Sequence, residues 1–132
     1  QLYDAPCKNK KDLINAIKKY QGKVSAIVIG SHALGLDNAK DIVKRAGSTP
    51  VFSFLHQPIT KAGVLAVYSS HPDKLNKMLA QSVVEVLINH KPINTIPVKM
   101  DTNPQGYINM TTAKRLGIDI PGTVLMQAEK VN

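Results

Sequence analysis

The chain has a single cysteine, no tryptophan, two phenylalanines, four tyrosines and no apolar run of membrane-spanning length. Each scarcity excludes something. Cys7 alone cannot close an internal disulfide, so stability must come from packing, and the redox compartment is left open. The most apolar stretch, around Val83–Ile88, is interrupted by Glu85 and falls far short of the roughly 20 residues a bilayer span requires. With so few rings there is no stacking platform for bases, and no glycine-and-aromatic signature of an RNA-binding sheet. Charge of one sign is also scarce: 9 acidic side chains stand against 17 basic ones, a formal +8. Half of that excess falls in the first 23 residues, where Lys8, Lys10, Lys11, Lys18, Lys19 and Lys23 face only Asp4 and Asp12. Without aromatic interleaving this reads as a solvated lysine face, and no nucleic-acid partner is expected. The first residue is Gln1, not Met, so the expectation is a processed leader or a piece of a longer protein.

What is present is a dense apolar pattern. At 132 residues and 14.4 kDa the chain can bury one core, either a domain or one lobe of something larger. Short β-branched runs alternate with stretches whose apolar residues are three and four apart, which predicts an α/β layer fold with a mainly parallel sheet. Leu2–Ala5 reads as a short strand. Asn9 offers a cap to a helix with Leu13, Ile14 and Ile17 on its buried stripe. Val24–Gly30, nearly all apolar, reads as an interior parallel strand covered on both faces. Asp37 is the expected cap of a helix burying Ala39, Ile42, Val43 and Ala46, with Gly47 as its stop. Strands follow at Pro50–Phe54 and Gly63–Tyr68, with a loop between them carrying His56, Pro58 and Lys61. The longest helix starts at Ser70 or His71, with Pro72 early, and its stripe of Leu75, Leu79, Val83, Val86 and Leu87 is expected to be buried. Ile96–Met100 reads as a strand, Asp101–Gly106 as a turn-rich loop and Tyr107–Asn109 as a short extended piece. Thr111–Leu116 reads as a helix capped by Asn109 and stopped by Gly117.

Catalytic and metal chemistry find little support in the spacing. Gly30-Ser31-His32-Ala33-Leu34-Gly35 joins a strand to a helix, where open parallel sheets bind ligands. The loop continues into Leu36-Asp37 where a phosphate loop needs Lys-Ser/Thr, and it does not match Gly-x-Gly-x-x-Gly. Ser31 beside His32 lacks the Gly-x-Ser-x-Gly elbow of an activated nucleophile. His32, His56, His71 and His90 show no metal-ligand spacing, so no metal site and no cofactor are expected. Asp37, Asp41, Asp73 and Glu85 read as solvated helix positions. Ser31, Ser53, Ser69 and Ser70 all fall at or near the ends of apolar strands. Together they suit an uncharged or zwitterionic small molecule, and His32 and His56 are candidates to line the same cleft.

The tail of the chain carries a more specific pattern. Gly63-Val64-Leu65-Ala66, a long helix closing on Val86-Leu87, Lys91-Pro92 followed by Ile96-Pro97-Val98, and Ile108-Asn109, Ala113, Leu116-Gly117-Ile118 and Ile120-Pro121 occur in that order. The series resembles the closing segment of the substrate-binding proteins of ABC transporters. Val24-Ser25-Ala26-Ile27 and Pro50-Val51-Phe52 resemble the same family's upstream strands. Where the family loop is often Pro-Thr-Asp-Asn, this chain has Gly30-Ser31-His32-Ala33.

The resemblance implies one lobe of a periplasmic-binding-protein-like, Rossmann-like three-layer sandwich. Residues 1–132 would form that single lobe, with strand-helix repeats over about 1–70 and the long helix, a strand and a short C-terminal helix near the hinge over 71–132. Family members are about twice this length, so the chain looks like a C-terminal half whose N-terminal lobe is missing. The implied function is solute binding for an ABC-type uptake system, without catalysis, in the periplasm or outside the cell, with or without a membrane anchor. The implied partners are a small, amino-acid-like ligand held by Ser31, His32, Ser53, Ser69 and Ser70, the other lobe and a membrane permease. A second copy of the chain is a further candidate partner for the long helix. The alternatives are the sensor ectodomain of a membrane signalling protein and, less favoured, a small doubly wound enzyme or phosphate-binding domain.

Overall fold

The computed structural model describes residues 1–55 and 61–132, so His56 and Pro58 lie outside the described residues. Helix α1 (Lys10–Tyr20) starts where the sequence predicts: the Asn9 side chain accepts the Asp12 backbone N–H at 3.0 Å. Lys18 and Lys19 in the last turn complement the negative end of the helix dipole. Leu13 and Ile17, one turn apart, are buried. Strand β1 (Ile27–Ile29) follows, then the short helix α2 (Ala33–Asp37), helix α3 (Ala39–Ala46) and strand β2 (Val51–Ser53). Strand β3 (Ala66–Ser69) leads into the long helix α4 (Pro72–Leu87). A 3-10 turn at Ile93–Thr95, strand β4 (Gln105–Asn109), helices α5 (Met110–Leu116) and α6 (Gly122–Leu125) and strand β5 (Ala128–Val131) complete the described chain.

The five strands lie side by side in chain order. Pairs β1–β2, β2–β3 and β4–β5 are parallel, and β3–β4 is antiparallel. The fold is therefore α/β with a mainly parallel sheet, as the alternating pattern predicts. Register places Ile29, Ser53, Val67 and Tyr107 in one row across four strands. Because side chains alternate between the faces of a strand, that row shares a single face. The core gathers there: Ile29, Val51, Val67 and Tyr107 pack with Leu13 and Ile17 of α1, Ala39, Ile42 and Ala46 of α3, and Val64. Each large apolar side chain removed from water in this way contributes about 1.5–3 kcal/mol.

Several sequence expectations are corrected. Leu2–Ala5 forms no strand. Strand β1 is parallel but sits at the sheet edge, not in its interior, and Val28 is 54% exposed. The apolar run reads as two-sided burial, yet among the described residues β2 alone flanks it. Asp37 is the last residue of α2 and not the cap of α3. Asn38 takes the cap position, with its side-chain amide donating to Leu34 O at 2.8 Å. Ile96–Met100 forms no strand, because the place beside β3 is taken by β4, and Val98 and Met100 are left exposed. The stripe on α4 is not buried: Leu75, Leu79, Val83 and Leu87 are all exposed, Leu79 at 65%. The period is right, but the surface that would cover it is not among the described residues. Helix α6 and strand β5 were not expected, since Glu129 and Lys130 hide the apolar ends of β5.

Candidate functional site

The parallel run of β1, β2 and β3 sends their carboxyl ends to one edge of the sheet, the edge at which open α/β sheets hold ligands. Strand β4, running the other way, begins at that edge, where Gln105 pairs with Ser69. Four segments therefore meet along it: Gly30–His32, Ser53–Leu55, Ser69–His71 and the loop 101–104 before β4.

The first segment is held by local capping. The His32 ring accepts the Leu34 N–H through Nδ1 at 3.2 Å, so the imidazole starts α2. Ser31 beside it is exposed. Of the two glycines in this segment, Gly35 has a packing role: a Cβ there would stand 2.9 Å from Cγ2 of Ile29, so glycine lets α2 lie this close to β1, whereas a Cβ on Gly30 would meet nothing within 4 Å. In the second segment Ser53 is 4% exposed and its hydroxyl accepts the Leu55 N–H at 3.2 Å.

The third and fourth segments form the best-connected polar group. His71 caps α4 by accepting the Asp73 N–H at 3.2 Å, and its ring stands 6.4 Å from that of Tyr107. Lys74, one turn into α4, pairs with Asp101, whose side chain is 3% exposed, and also donates to Asn103 O at 3.4 Å. Asp101 accepts the Asn103 N–H at 2.9 Å. The Lys74 ammonium, the Ser70 hydroxyl and that backbone N–H together hold the Asp101 carboxyl down at about 2. Tyr107 is wholly buried, and desolvation, then the charges of Glu129 and Asp101, push its phenol up. Ser69 Oγ is buried and has no hydrogen-bond partner among the described residues. Beside this group an open hollow of about 380 Å³ is lined by Tyr68, Asn103, Pro104, Gln105, Gly106 and Gln127.

Of the five predicted ligand residues, Ser69 and Ser70 come together with Asp101. Ser53 lies on the adjacent strand and shares the face of Ser69, whereas Ser31 and His32 follow β1, two strand spacings or about 10 Å from β3. Sequence reasoning missed Asp101, Lys74 and Tyr107. The signal available for the first was the Asp-Thr-Asn-Pro run before a strand, which reads equally well as a plain turn. No group of three or more His, Cys, Asp and Glu side chains fit to hold a metal occurs among the described residues, and no helix among them is long and apolar enough to cross a membrane.

A mainly parallel sheet with a polar carboxyl edge is the arrangement in which open α/β folds hold ligands. The chain belongs to the ABC transporter substrate-binding protein family, whose model matches residues 1–132. Among solved structures, a conserved domain protein from Vibrio cholerae is 22% identical over 100% of this chain and 45% of its own, with a TM-score of 0.87. The ABC domain from Streptococcus pneumoniae, in complex with L-Trp, is 23% identical over 96% of this chain and 43% of its own, with a TM-score of 0.82. The ligand-free, open form of CD0873 from Clostridium difficile, a substrate-binding protein with adhesive properties, is 19% identical over 96% and 42%, with a TM-score of 0.71. At these identities the likeness establishes the fold. The chain spans less than half the length of each of these proteins. No curated protein matches it.

Proposed function

We propose that this chain is the C-terminal lobe of an extracytoplasmic solute receptor that delivers a small zwitterionic molecule to a membrane permease. The observation that carries the reading is the convergence of Ser31–His32, Ser53, Ser69–Ser70 and the Asp101–Asn103 turn on the carboxyl edge of β1–β3, in a chain of this family. Hydroxyls, an imidazole and one neutralised carboxylate suit a ligand with a compact polar head and no net charge. The Asp101–Lys74 pair fixes the turn before β4, so the edge is already organised before a ligand arrives.

The edge is open to one side, and the exposed stripe of α4 calls for a covering surface. Both are accounted for by a second lobe that closes over the ligand. Closure is then driven by the tighter binding of the closed state, and no bond chemistry is required. The L-Trp held by the Streptococcus protein makes amino acids the first class to try. The experiment is calorimetry on the two-lobe protein against single amino acids. Binding of one or a few of them is expected, weakened by Ser70→Ala and by Ser31→Ala by about 1 kcal/mol each. Binding that survives both substitutions unchanged would move the site away from this edge.

A further inference from the structure

The face of the sheet turned away from α1 and α3 carries a hollow that the serine edge does not use. Side chains alternate along a strand, so Ser69 shares the face of the core residue Val67, and Tyr68 between them points to the other face. Register sets Tyr68 opposite Gly106 and Gly106 opposite Ala128, so one row across β3, β4 and β5 reads ring, no side chain, methyl. The result is a trough with the Tyr68 ring as one wall, part of the hollow of about 380 Å³ that Asn103, Pro104, Gln105 and Gln127 complete. That volume lies in the roughly 300–1,000 Å³ range of small-molecule sites. Neither the ring nor the glycine is required by the fold. Tyr68 is 61% exposed, so it adds little burial. A ring serving only to cover the glycine would lie down on it and be largely buried. Gly106 has no positive φ, and a Cβ on it would meet Ala128 Cβ at an ordinary 3.5 Å. Glycine inside a strand weakens it and often marks the place where a ligand approaches the backbone.

We propose that this hollow is a second binding site, for a neutral saccharide, with one pyranose ring stacked on Tyr68 and its hydroxyls held by the carboxamides. None of the six described residues that line it is charged, so nothing there pairs with a charged ligand. The C–H-rich face of a pyranose carries slight positive charge and suits the negative face of the tyrosine ring. Each carboxamide offers two donors and an acceptor, the mixture that neighbouring hydroxyls require. Asn103 lies in the turn before β4, Gln105 begins β4 and Gln127 precedes β5, and all three are exposed. The backbone of Asn103 is fixed from both sides, its N–H donating to Asp101 at 2.9 Å and its carbonyl accepting from Lys74 at 3.4 Å. A nucleobase also stacks on a tyrosine, but it is apolar on both faces, and the lining has one ring and no second to cover the far side. A pyranose, with hydroxyls around its rim, is satisfied by one ring and a polar border.

The test is saturation-transfer NMR and calorimetry on the full-length protein with glucose, galactose, N-acetylglucosamine and cellobiose, and with adenosine as the counter-probe. At least one of the saccharides is expected to bind, with saturation strongest on the protons of one pyranose face. Tyr68→Ala should weaken that binding about tenfold. Gly106→Ala fills the trough without a clash and should weaken binding at least as much, while the melting temperature stays equal or rises. Should Gly106→Ala prove unstable, Gln127→Ala at an exposed position gives a second, milder loss to look for. Amino-acid binding at the serine edge should be unchanged by Tyr68→Ala, so this reading and the one above fail separately. Binding of none of the saccharides, binding of adenosine in their place, full saccharide binding by folded variants, or loss of both ligands in Tyr68→Ala would overturn the inference.

Discussion

Truncating Leu79 to alanine separates a chain that is complete in itself from one that is half of a clamp. In the 132-residue chain Leu79 is 65% exposed, so about a third of the residue is out of water. Full burial of a leucine is worth about 1.5–3 kcal/mol, which makes that third worth about 0.5–1 kcal/mol. Alanine returns about 0.2 kcal/mol through its better helix propensity, leaving a net cost near ~0.5 kcal/mol. Ile17, 6% exposed on α1, is the internal control, and Ile17→Ala should cost about 2–5 kcal/mol in any context. In the two-lobe protein, where a second surface covers α4, Leu79→Ala should rise into the same range as Ile17→Ala. Urea unfolding of both variants in both contexts, read from midpoints at constant m-value, measures the difference. A Leu79→Ala cost that stays small in the longer protein would mean that nothing covers the stripe, and the reading of α4 as an inter-lobe element would have to be given up.

Other substitutions probe the site and its supports. Gly35→Ala drives a methyl against Cγ2 of Ile29, and after alanine's gain in helix propensity it should cost about 1 kcal/mol net and weaken solute binding by shifting Ser31 and His32; a variant with unchanged melting and affinity refutes that role for the glycine. Asn109→Ala removes the cap that accepts the Thr112 N–H at 2.7 Å and should cost about 1–2 kcal/mol in urea, chiefly by fraying α5. Asp101, held at about 2 by Lys74, Ser70 and Asn103, has a folded-state value below the roughly 3.9 of an unfolded aspartate. Its contribution is therefore complete above that unfolded value and is lost as pH falls towards 2. Asp101→Asn should flatten acid unfolding across this window, and identical acid profiles for the two proteins would show that the pair contributes nothing.

The parts of the fold legible in the sequence are those in which local chemistry and tertiary packing agree. Asn9, Pro72, Asn109 and Gly117 mark helix ends through interactions reaching only a few residues, so they can be read without knowing the fold. The errors fall where the partner of a pattern decides its fate. Ile96, Val98 and Met100 alternate as a strand should, but β4 occupies the position beside β3 and leaves them unpaired. Val24–Gly30 has the composition of an interior strand, but among the described residues β1 pairs with β2 alone and forms an edge. The stripe of α4 is the same case on a helix. In each instance the periodicity was legible and the identity of the covering surface was not.

The site divides along the same line. Serines at strand ends could be listed from sequence, because the end of an apolar run is visible in one dimension. What joins Ser70 to Asp101 and Lys74 is the reversal of direction at β4, which returns the turn 101–104 to the edge that β3 has just reached. That antiparallel pairing closes a contact between residues 27 positions apart in the chain, and no spacing rule announces it. The reversal also accounts for the asymmetry of the lobe. Strands β1–β3 deliver loops to the ligand edge, whereas β4 and β5 carry their own carboxyl ends, and with them α5, towards the opposite edge. One change of strand direction thus places the Asp101 carboxylate among the serines of the ligand edge and sends Asn109 and the start of α5 to the opposite edge, where the Thr112 hydroxyl donates to Gly63 O at 2.9 Å.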